Sequence, residues 1–228
     1  MKLGIIGYGK MGKSIVRLAP QYGFLNFVII DNEEDWLKNQ ENLKTCDVVI
    51  EFSTPQAMLS NLSKCFELQL PVVSGTTGCS KEREAFFKQW KDAHISFIYG
   101  SNFSIGANLF FKLNKWLAQQ MKLHPQYCIC IEETHHVHKK DAPSGTALTI
   151  EQGIQSQIDS KENISIVSHR RGEVVGEHLV NYDSVEDSIQ IKHNAHSRDN
   201  FAHGALKAAL WLCEHPGVYD FEDIFTEF

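Results

Sequence analysis

The fold is decided by the stretch Leu3-Gly4-Ile5-Ile6-Gly7-Tyr8-Gly9-Lys10-Met11-Gly12. A short apolar run leads straight into Gly7-x-Gly9-x-x-Gly12, and a helical pattern (Ile15, Val16, Leu18, Ala19) follows it. In such a strand–turn–helix, one glycine allows the tight turn. A second lets the backbone approach a pyrophosphate, and a third lets the helix pack closely on the strand. The helix N-terminus then offers unpaired N–H groups and a positive dipole to phosphate. Asp31 lies 19 residues past Gly12, at the end of the apolar run Phe27-Val28-Ile29-Ile30. An acid there accepts hydrogen bonds from an adenosine ribose. Read blandly, the glycines make a turn and Asp31 is a solvated strand end. Strand, glycines, helix and acid together point to a bound dinucleotide.

Outward from this stretch the chain alternates. Residues 47–52 form a strand, residues 57–66 a helix, and Pro71-Val72-Val73 a further strand ending in Ser74-Gly75-Thr76-Thr77-Gly78. Ser80 is placed to cap a helix over residues 81–93, and residues 95–99 form a fifth strand. Strands alternating with helices of this length predict a parallel, doubly wound α/β sheet. Ligands bind such sheets at the carboxyl ends of the strands. Gly75-Thr76-Thr77 and Gly100-Ser101-Asn102-Phe103 sit there, and are expected to touch the nicotinamide half of the cofactor.

Composition sets limits on function. The chain has 228 residues, 43% apolar and 22% charged, with a net charge of −6. That suits one large or two modest domains and gives no basic surface for nucleic acid. No apolar run approaches a membrane span, and no signal-peptide pattern follows Met1-Lys2, so a cytoplasmic protein is expected. Six scattered cysteines read as reduced thiols, with Cys128 and Cys130 on one face of a strand.

The second half changes character. Residues 109–123 form a helix with the stripe Leu109, Phe110, Leu113 and Leu117, and residues 128–131 a strand. A polar loop over residues 135–146 precedes a helix reaching about Ile158. Extended runs follow at residues 164–168, 174–175, 178–182 and 188–193, the last three reading as an antiparallel meander. Residues 205–213 form a last helix. This predicts a smaller α+β domain with a mixed or antiparallel sheet.

The densest polar cluster runs from Glu132 to Ala147. A metal site could use His135, His136 and His138 with Glu132 or Glu133, but no metal spacing is present and adjacent residues on an extended chain point apart. A solvated charge run is the bland reading. The segment Asp141-Ala142-Pro143-Ser144-Gly145-Thr146-Ala147 favours a third. Ser144 can cap a helix, the N–H groups of Gly145 and Thr146 can receive an anion, and His135, His136 and Lys139 add cations and an acid/base. That suits a small acidic substrate.

Glu133-Thr134-His135-His136-x-x-Lys139-x-Asp141-Ala142-Pro143-Ser144-Gly145-Thr146-Ala147 closely resembles the signature of the dihydrodipicolinate reductase family, also called 4-hydroxy-tetrahydrodipicolinate reductase. Gly7 to Gly12, Gly75 to Gly78, Asn102-Phe103-Ser104, Gly172-Glu173-Val174-Val175-Gly176-Glu177-His178, residues 193–198 and Phe201-Ala202-x-Gly204-Ala205 extend the resemblance along the chain. The resemblance implies NAD(P)H-dependent reduction of 4-hydroxy-tetrahydrodipicolinate in diaminopimelate and lysine biosynthesis. It implies a Rossmann domain over residues 1–105 and 199–228, and a substrate-binding and oligomerisation domain over residues 106–198. His135 is implied as acid/base and Lys139 as proton donor. His136, Lys139, Ser144, Gly145 and Thr146 are implied to bind a cyclic dicarboxylate. Gly7, Tyr8, Gly9, Lys10, Met11, Gly12, Asp31, Gly75, Thr76, Thr77, Gly100, Ser101, Asn102 and Phe103 are the expected cofactor residues. A homotetramer is usual in the family, although the stretch from Thr146 to His169 is shorter here than in many members. Asp31 favours NADH over NADPH, because a 2′-phosphate would meet its charge. Another NAD-dependent dehydrogenase would share the glycine turn without needing the His–Lys loop. A non-catalytic dinucleotide sensor would not need His135 or Lys139.

Overall fold

In the computed structural model, which describes residues 1–78, 83–158 and 164–228, the N-terminal apolar run forms β1 (Lys2–Ile6). There follow α1 (Lys10–Leu18), β2 (Asn26–Ile30), α2 (Glu33–Leu43), β3 (Val48–Glu51), α3 (Pro55–Glu67), β4 (Val72–Ser74), α4 (Arg83–Asp92) and β5 (Phe97–Tyr99). After α5 (Ile105–Met121) come β6 (Cys128–His135), α6 (Gly145–Gln155), β7 (Ser165–Arg170), β8 (Gly176–Asp183) and β9 (Ser188–Ala195). The chain ends with α7 (Asp199–Glu214), β10 (Val218–Asp220) and α8 (Phe221–Ile224). The expected cap at Ser80, the start at Lys81 and Cys79 lie outside the described residues.

Two units emerge: Met1–Ile105 with Asp199–Phe228, and Gly106–Arg198. In the first, six strands pair in parallel in the order β10-β5-β4-β3-β1-β2. A parallel sheet covered on both faces needs strands that are apolar throughout, and Val48, Val49 and Ile50 are fully buried. One core sets Leu3, Ile5 and Ile50 against α1 and α7; the other sets Val28, Val49 and Val72 against Trp36, Leu62 and Trp90. All six strands end on the same edge. The doubly wound sheet is as the alternation predicts.

Three elements of this unit were not legible. Helix α2 buries only Trp36 and Leu43, so its apolar period is faint. What starts it is chemistry: Asn32 accepts the Asp35 N–H, and Glu33, Glu34 and Asp35 face the positive end of the dipole. Strand β10 has three residues and α8 four, too short for a periodic signal. Helix α7 is therefore not the last element.

The second unit is a four-stranded sheet, order β7-β6-β8-β9, with β6 parallel to β7 and the other pairs antiparallel. The expected meander of three strands is corrected to two: Val174 and Val175 lie in the turn before β8, which pairs with β6 rather than with a strand at 174–175. β6 runs on to His135, and α6 stops at Gln155 rather than Ile158. The stripe expected on α5 is rotated. Leu109 and Leu113 are 50% and 47% exposed, while Ala107, Phe110, Asn114 and Ala118 are buried. Asn114 is accommodated because its amide donates to the Phe110 carbonyl at 2.7 Å.

Candidate active site

In the first unit, two clefts open beside the glycine turn. One, of about 400 Å³, is lined by Gly7, Gly9, Asp31, Asn32, Glu33 and Trp36 among others; the second, of about 410 Å³, by Gly9, Lys10, Met11, Gly75, Thr76 and Thr77 among others. They share Gly9, Phe52 and Ser53. The glycines divide the labour that the spacing implies. Gly7 has φ +89°, and a Cβ there would lie 2.2 Å from the Phe52 carbonyl oxygen. A Cβ on Gly12 would lie 2.2 Å from the Gly7 carbonyl oxygen, so α1 can start this close to β1 only without one. A Cβ on Gly9 would meet nothing within 4 Å, and Gly9 lines both clefts. Asp31 is exposed, and its Oδ1 accepts the Tyr8 N–H at 2.6 Å, tying strand end to glycine turn. These features fit a nicotinamide dinucleotide.

Four expected cofactor residues form the floor or turn rather than presenting free side chains. Thr76 is buried and donates to Glu51 at 2.9 Å. Ser101 Oγ lies 3.4 Å from Glu222, and Asn102 Oδ1 accepts the Ser104 N–H. Phe103 is a core residue, its ring 4.5 Å from that of Phe221; only its backbone can face a ligand. Sequence reading missed Glu51, which is fully buried and accepts hydrogen bonds from Ser53, Ser74 (2.7 Å) and Thr76. Asn61 extends the network, donating to Ser53 and accepting from Trp36 at 3.1 Å. A polar residue closing an apolar strand, followed two residues on by serine, was the available signal.

In the second unit the site follows from strand period. Side chains two apart on β6 share a face, and register aligns them with their neighbours. On the helix-covered face one row is Ile166, Ile131, Val180 and Ile191. The next row is Ser168, Glu133, His178 and His193. Beyond it His135 pairs with Arg170. One face thus turns from apolar to ionisable at the end where α6 begins.

Glu133 is the hub of this row. It is buried, accepts the Ser144 N–H (3.1 and 3.2 Å) and the Ser168 hydroxyl (2.6 Å), and lies 3.8 Å from Arg170. Burial pushes its carboxyl up, but the hydrogen bonds from Ser144 and Ser168 outweigh it and hold the group below its ordinary value. His135 Nδ1 lies 3.5 Å from Glu133 Oε2, and His178 Nε2 3.7 Å from it. Burial lowers His135, with Glu133 opposing. Burial, then repulsion from His135, brings His178 down to about 4. Both imidazoles are thus neutral near pH 7. A Cβ on Gly176 would lie 3.3 Å from His135 Nε2, so glycine leaves the ring its space.

Ser144 caps α6 as expected, accepting the Ala147 N–H at 3.1 Å. Its N–H donates to Glu133, and its hydroxyl oxygen, which accepts the cap N–H, lies 3.3 Å from His178 Nε2. Gly145 and Thr146 remain in the first turn of α6, where N–H groups lack intrahelical acceptors. Lys139 is ion-paired with Asp141, 2.8 Å to each carboxylate oxygen, which holds Asp141 below the usual carboxylate range. Arg170 clamps this loop by donating to the carbonyls of Lys139 and Asp141. His136 is half-buried beside His138, ring centroids 6.3 Å apart. The row partners Ser168, Arg170 and His178 were missed because cross-strand register is invisible in a linear reading.

Residues 1–103 match the family described as dihydrodipicolinate reductase, N-terminus, and residues 106–225 that described as dihydrodipicolinate reductase, C-terminus. The chain belongs to the dihydrodipicolinate reductase family. A 4-hydroxy-tetrahydrodipicolinate reductase from Christiangramia forsetii is 37% identical, covering 100% of this chain and 98% of the relative. One from Syntrophus aciditrophicus is 31% identical over 96% and 95%. The dipicolinate-bound dihydrodipicolinate reductase from Paenisporosarcina sp. TG-14 superposes with a TM-score of 0.78 over 98% of this chain and 99% of that one, at 20% identity, which supports the shared fold. The clefts at the glycine turn and the Glu133 row thus lie, respectively, in the matched N- and C-terminal parts of a reductase.

Proposed function

We propose that this reductase converts 4-hydroxy-tetrahydrodipicolinate to tetrahydrodipicolinate with a reduced nicotinamide dinucleotide bound in the clefts of the first unit. The carrying observation is that the strand end at His135, the loop cation Lys139 and the first turn of α6 converge on one polar end of the second sheet, in a chain of this family. The nicotinamide, when bound, supplies the hydride. Gly145 and Thr146 offer N–H groups to one carboxylate of the substrate, and Lys139 offers charge and His136 a ring nitrogen to the other. Charge-assisted hydrogen bonds of this kind orient a planar dicarboxylate. The 4-hydroxyl leaves as water to give the conjugated ring, and the charge left on that ring after hydride arrival needs a proton. Lys139 is assigned as its donor, exchanging Asp141 for substrate; His135, at the strand end beside Glu133, is the acid/base. The dipicolinate carried by the Paenisporosarcina enzyme supports a dicarboxylate ligand.

NADH is the proposed preferred cofactor, with NADPH accepted. Asp31, Asn32 and Glu33 line the first cleft, which has no lysine or arginine among its described lining residues. Lys64, 4.9 Å from the Trp36 ring, is neutralised by Glu33. A homo-oligomer formed through the second unit is the proposed assembly, and the cytoplasm the proposed location. Among the described residues no helix is long and apolar enough to cross a membrane. The reading is tested by adding pyridine-2,6-dicarboxylate to the reductase assay: inhibition competitive with substrate is expected, and inhibition competitive with the cofactor alone would contradict it.

A further inference from the structure

We propose that Glu133, His135 and His178 form a binding site for Zn²⁺, and that zinc held there silences the enzyme. The inference goes beyond the reductase reading; only the silencing rests on His135 acting in catalysis.

Three observations converge. First, one ligand atom from each residue lies within 4.8 Å of the others, and all three residues are buried. Tetrahedral zinc with bonds of about 2.0–2.1 Å sets ligand atoms roughly 3.3 Å apart. Glu133 Oε2 already stands 3.5 Å from His135 Nδ1 and 3.7 Å from His178 Nε2. Second, His135 Nδ1 is buried with no hydrogen-bond partner. A polar nitrogen left so costs free energy that a ligand would recover. Third, the remaining contacts leave the carboxylate competent. Ser168 and Arg170 address Oε1, whereas Oε2 shares the Ser144 N–H. A carboxylate oxygen has two lone-pair directions, so Oε2 can accept that N–H and bind a cation.

The sequence obscured this set. Neighbours such as His135 and His136 point to opposite faces of a strand, which argues against their chelating together. Glu133 and His135 are two apart and share a face, and register brings His178 directly opposite Glu133. Two imidazoles and one carboxylate are a common ligand set for zinc, with a fourth position left to water. Arg170 and Lys139 add positive charge nearby, but Asp141 balances Lys139. Bound zinc would occupy the lone pair of His135 Nδ1 and pin the ring.

The test uses chelator-treated full-length protein titrated with Co²⁺ as a spectroscopic stand-in, then with Zn²⁺. One equivalent of Co²⁺ should give the intense visible bands of a tetrahedral N/O site, displaced by Zn²⁺. His178→Gln and His135→Gln should each abolish them, and His138→Gln should leave them intact. If His178→Gln fails to fold, as judged by circular dichroism, His135→Gln at the strand end decides. Absence of a stoichiometric tetrahedral spectrum in the wild-type protein would overturn the site, as would thiolate-to-cobalt charge transfer or a spectrum that survives both histidine variants. Zn²⁺ should also lower turnover by about a hundredfold or more, the usual contribution of a positioned acid/base, and EDTA should restore it. Cobalt bands without this inhibition would overturn the silencing and leave the site. An inactive protein that still shows them would contradict the catalytic reading instead.

Discussion

Lys139 and His135 sit in opposite electrostatic settings, one paired with Asp141 near the surface and one buried beside Glu133. Lys139→Ala and His135→Ala should each cut kcat by about a hundredfold to ten-thousandfold. NADH binding, followed by nicotinamide fluorescence, should stay near wild type, because the glycine turn belongs to the other unit. Near-normal kcat in both variants would remove them from the chemistry. Glu51 carries a different expectation. Its three hydroxyl donors cannot all be satisfied by an amide, one end of which is itself a donor. Glu51→Gln should cost about 1–3 kcal/mol of stability in urea unfolding. It should also raise KM for NADH more than it lowers kcat, since Ser53 and Thr76 line the clefts. Asp31 is proposed to select NADH by its place at the end of β2, where its carboxylate also accepts the Tyr8 N–H. Asp31→Ala should narrow the ratio of kcat/KM for NADH over NADPH by weakening NADH, and an unchanged ratio would show that the preference lies elsewhere.

At the scale of elements, the first turn of α6 is where the proposed reading places one substrate carboxylate. Proline is tolerated in a first helical turn but has no N–H to donate. Thr146→Pro should therefore leave the fold intact while weakening inhibition by pyridine-2,6-dicarboxylate at least severalfold; unchanged inhibition would place the dicarboxylate elsewhere. Ser144→Ala removes a cap and should destabilise the protein by about 1 kcal/mol, measured by thermal unfolding. Elements were legible where composition forces periodicity. Strands β1 to β5 of the first sheet are built on short apolar runs, and Ser144 announces its helix. Helix α2 was not legible because its buried stripe is two residues wide, and the Val174-Val175 strand was misread because two β-branched residues in a turn look extended. The α5 stripe misled because buried Asn114 is polar and buried Ala118 small, whereas exposed Leu109 and Leu113 are large and apolar.

At the scale of the molecule, the alternation of strands and helices and the long His–Lys signature made the two-part architecture and the reductase family readable from the chain. The return of residues 199–228 to the first unit was readable only through the family resemblance, since strand order is not encoded in local pattern. The Glu133 row was hidden for the same reason: Ser168, Glu133, His178 and His193 are neighbours only through the register of four strands. What unites the two units is one reaction, which requires both a dinucleotide and a cyclic dicarboxylate. The most direct measurement is the disappearance of reduced-nicotinamide absorbance on adding freshly made 4-hydroxy-tetrahydrodipicolinate, in the wild type and in Lys139→Ala. Rapid oxidation dependent on both the substrate and Lys139 is expected. Absence of substrate-dependent oxidation in a folded protein that binds NADH, or equal rates in the variant, would contradict it.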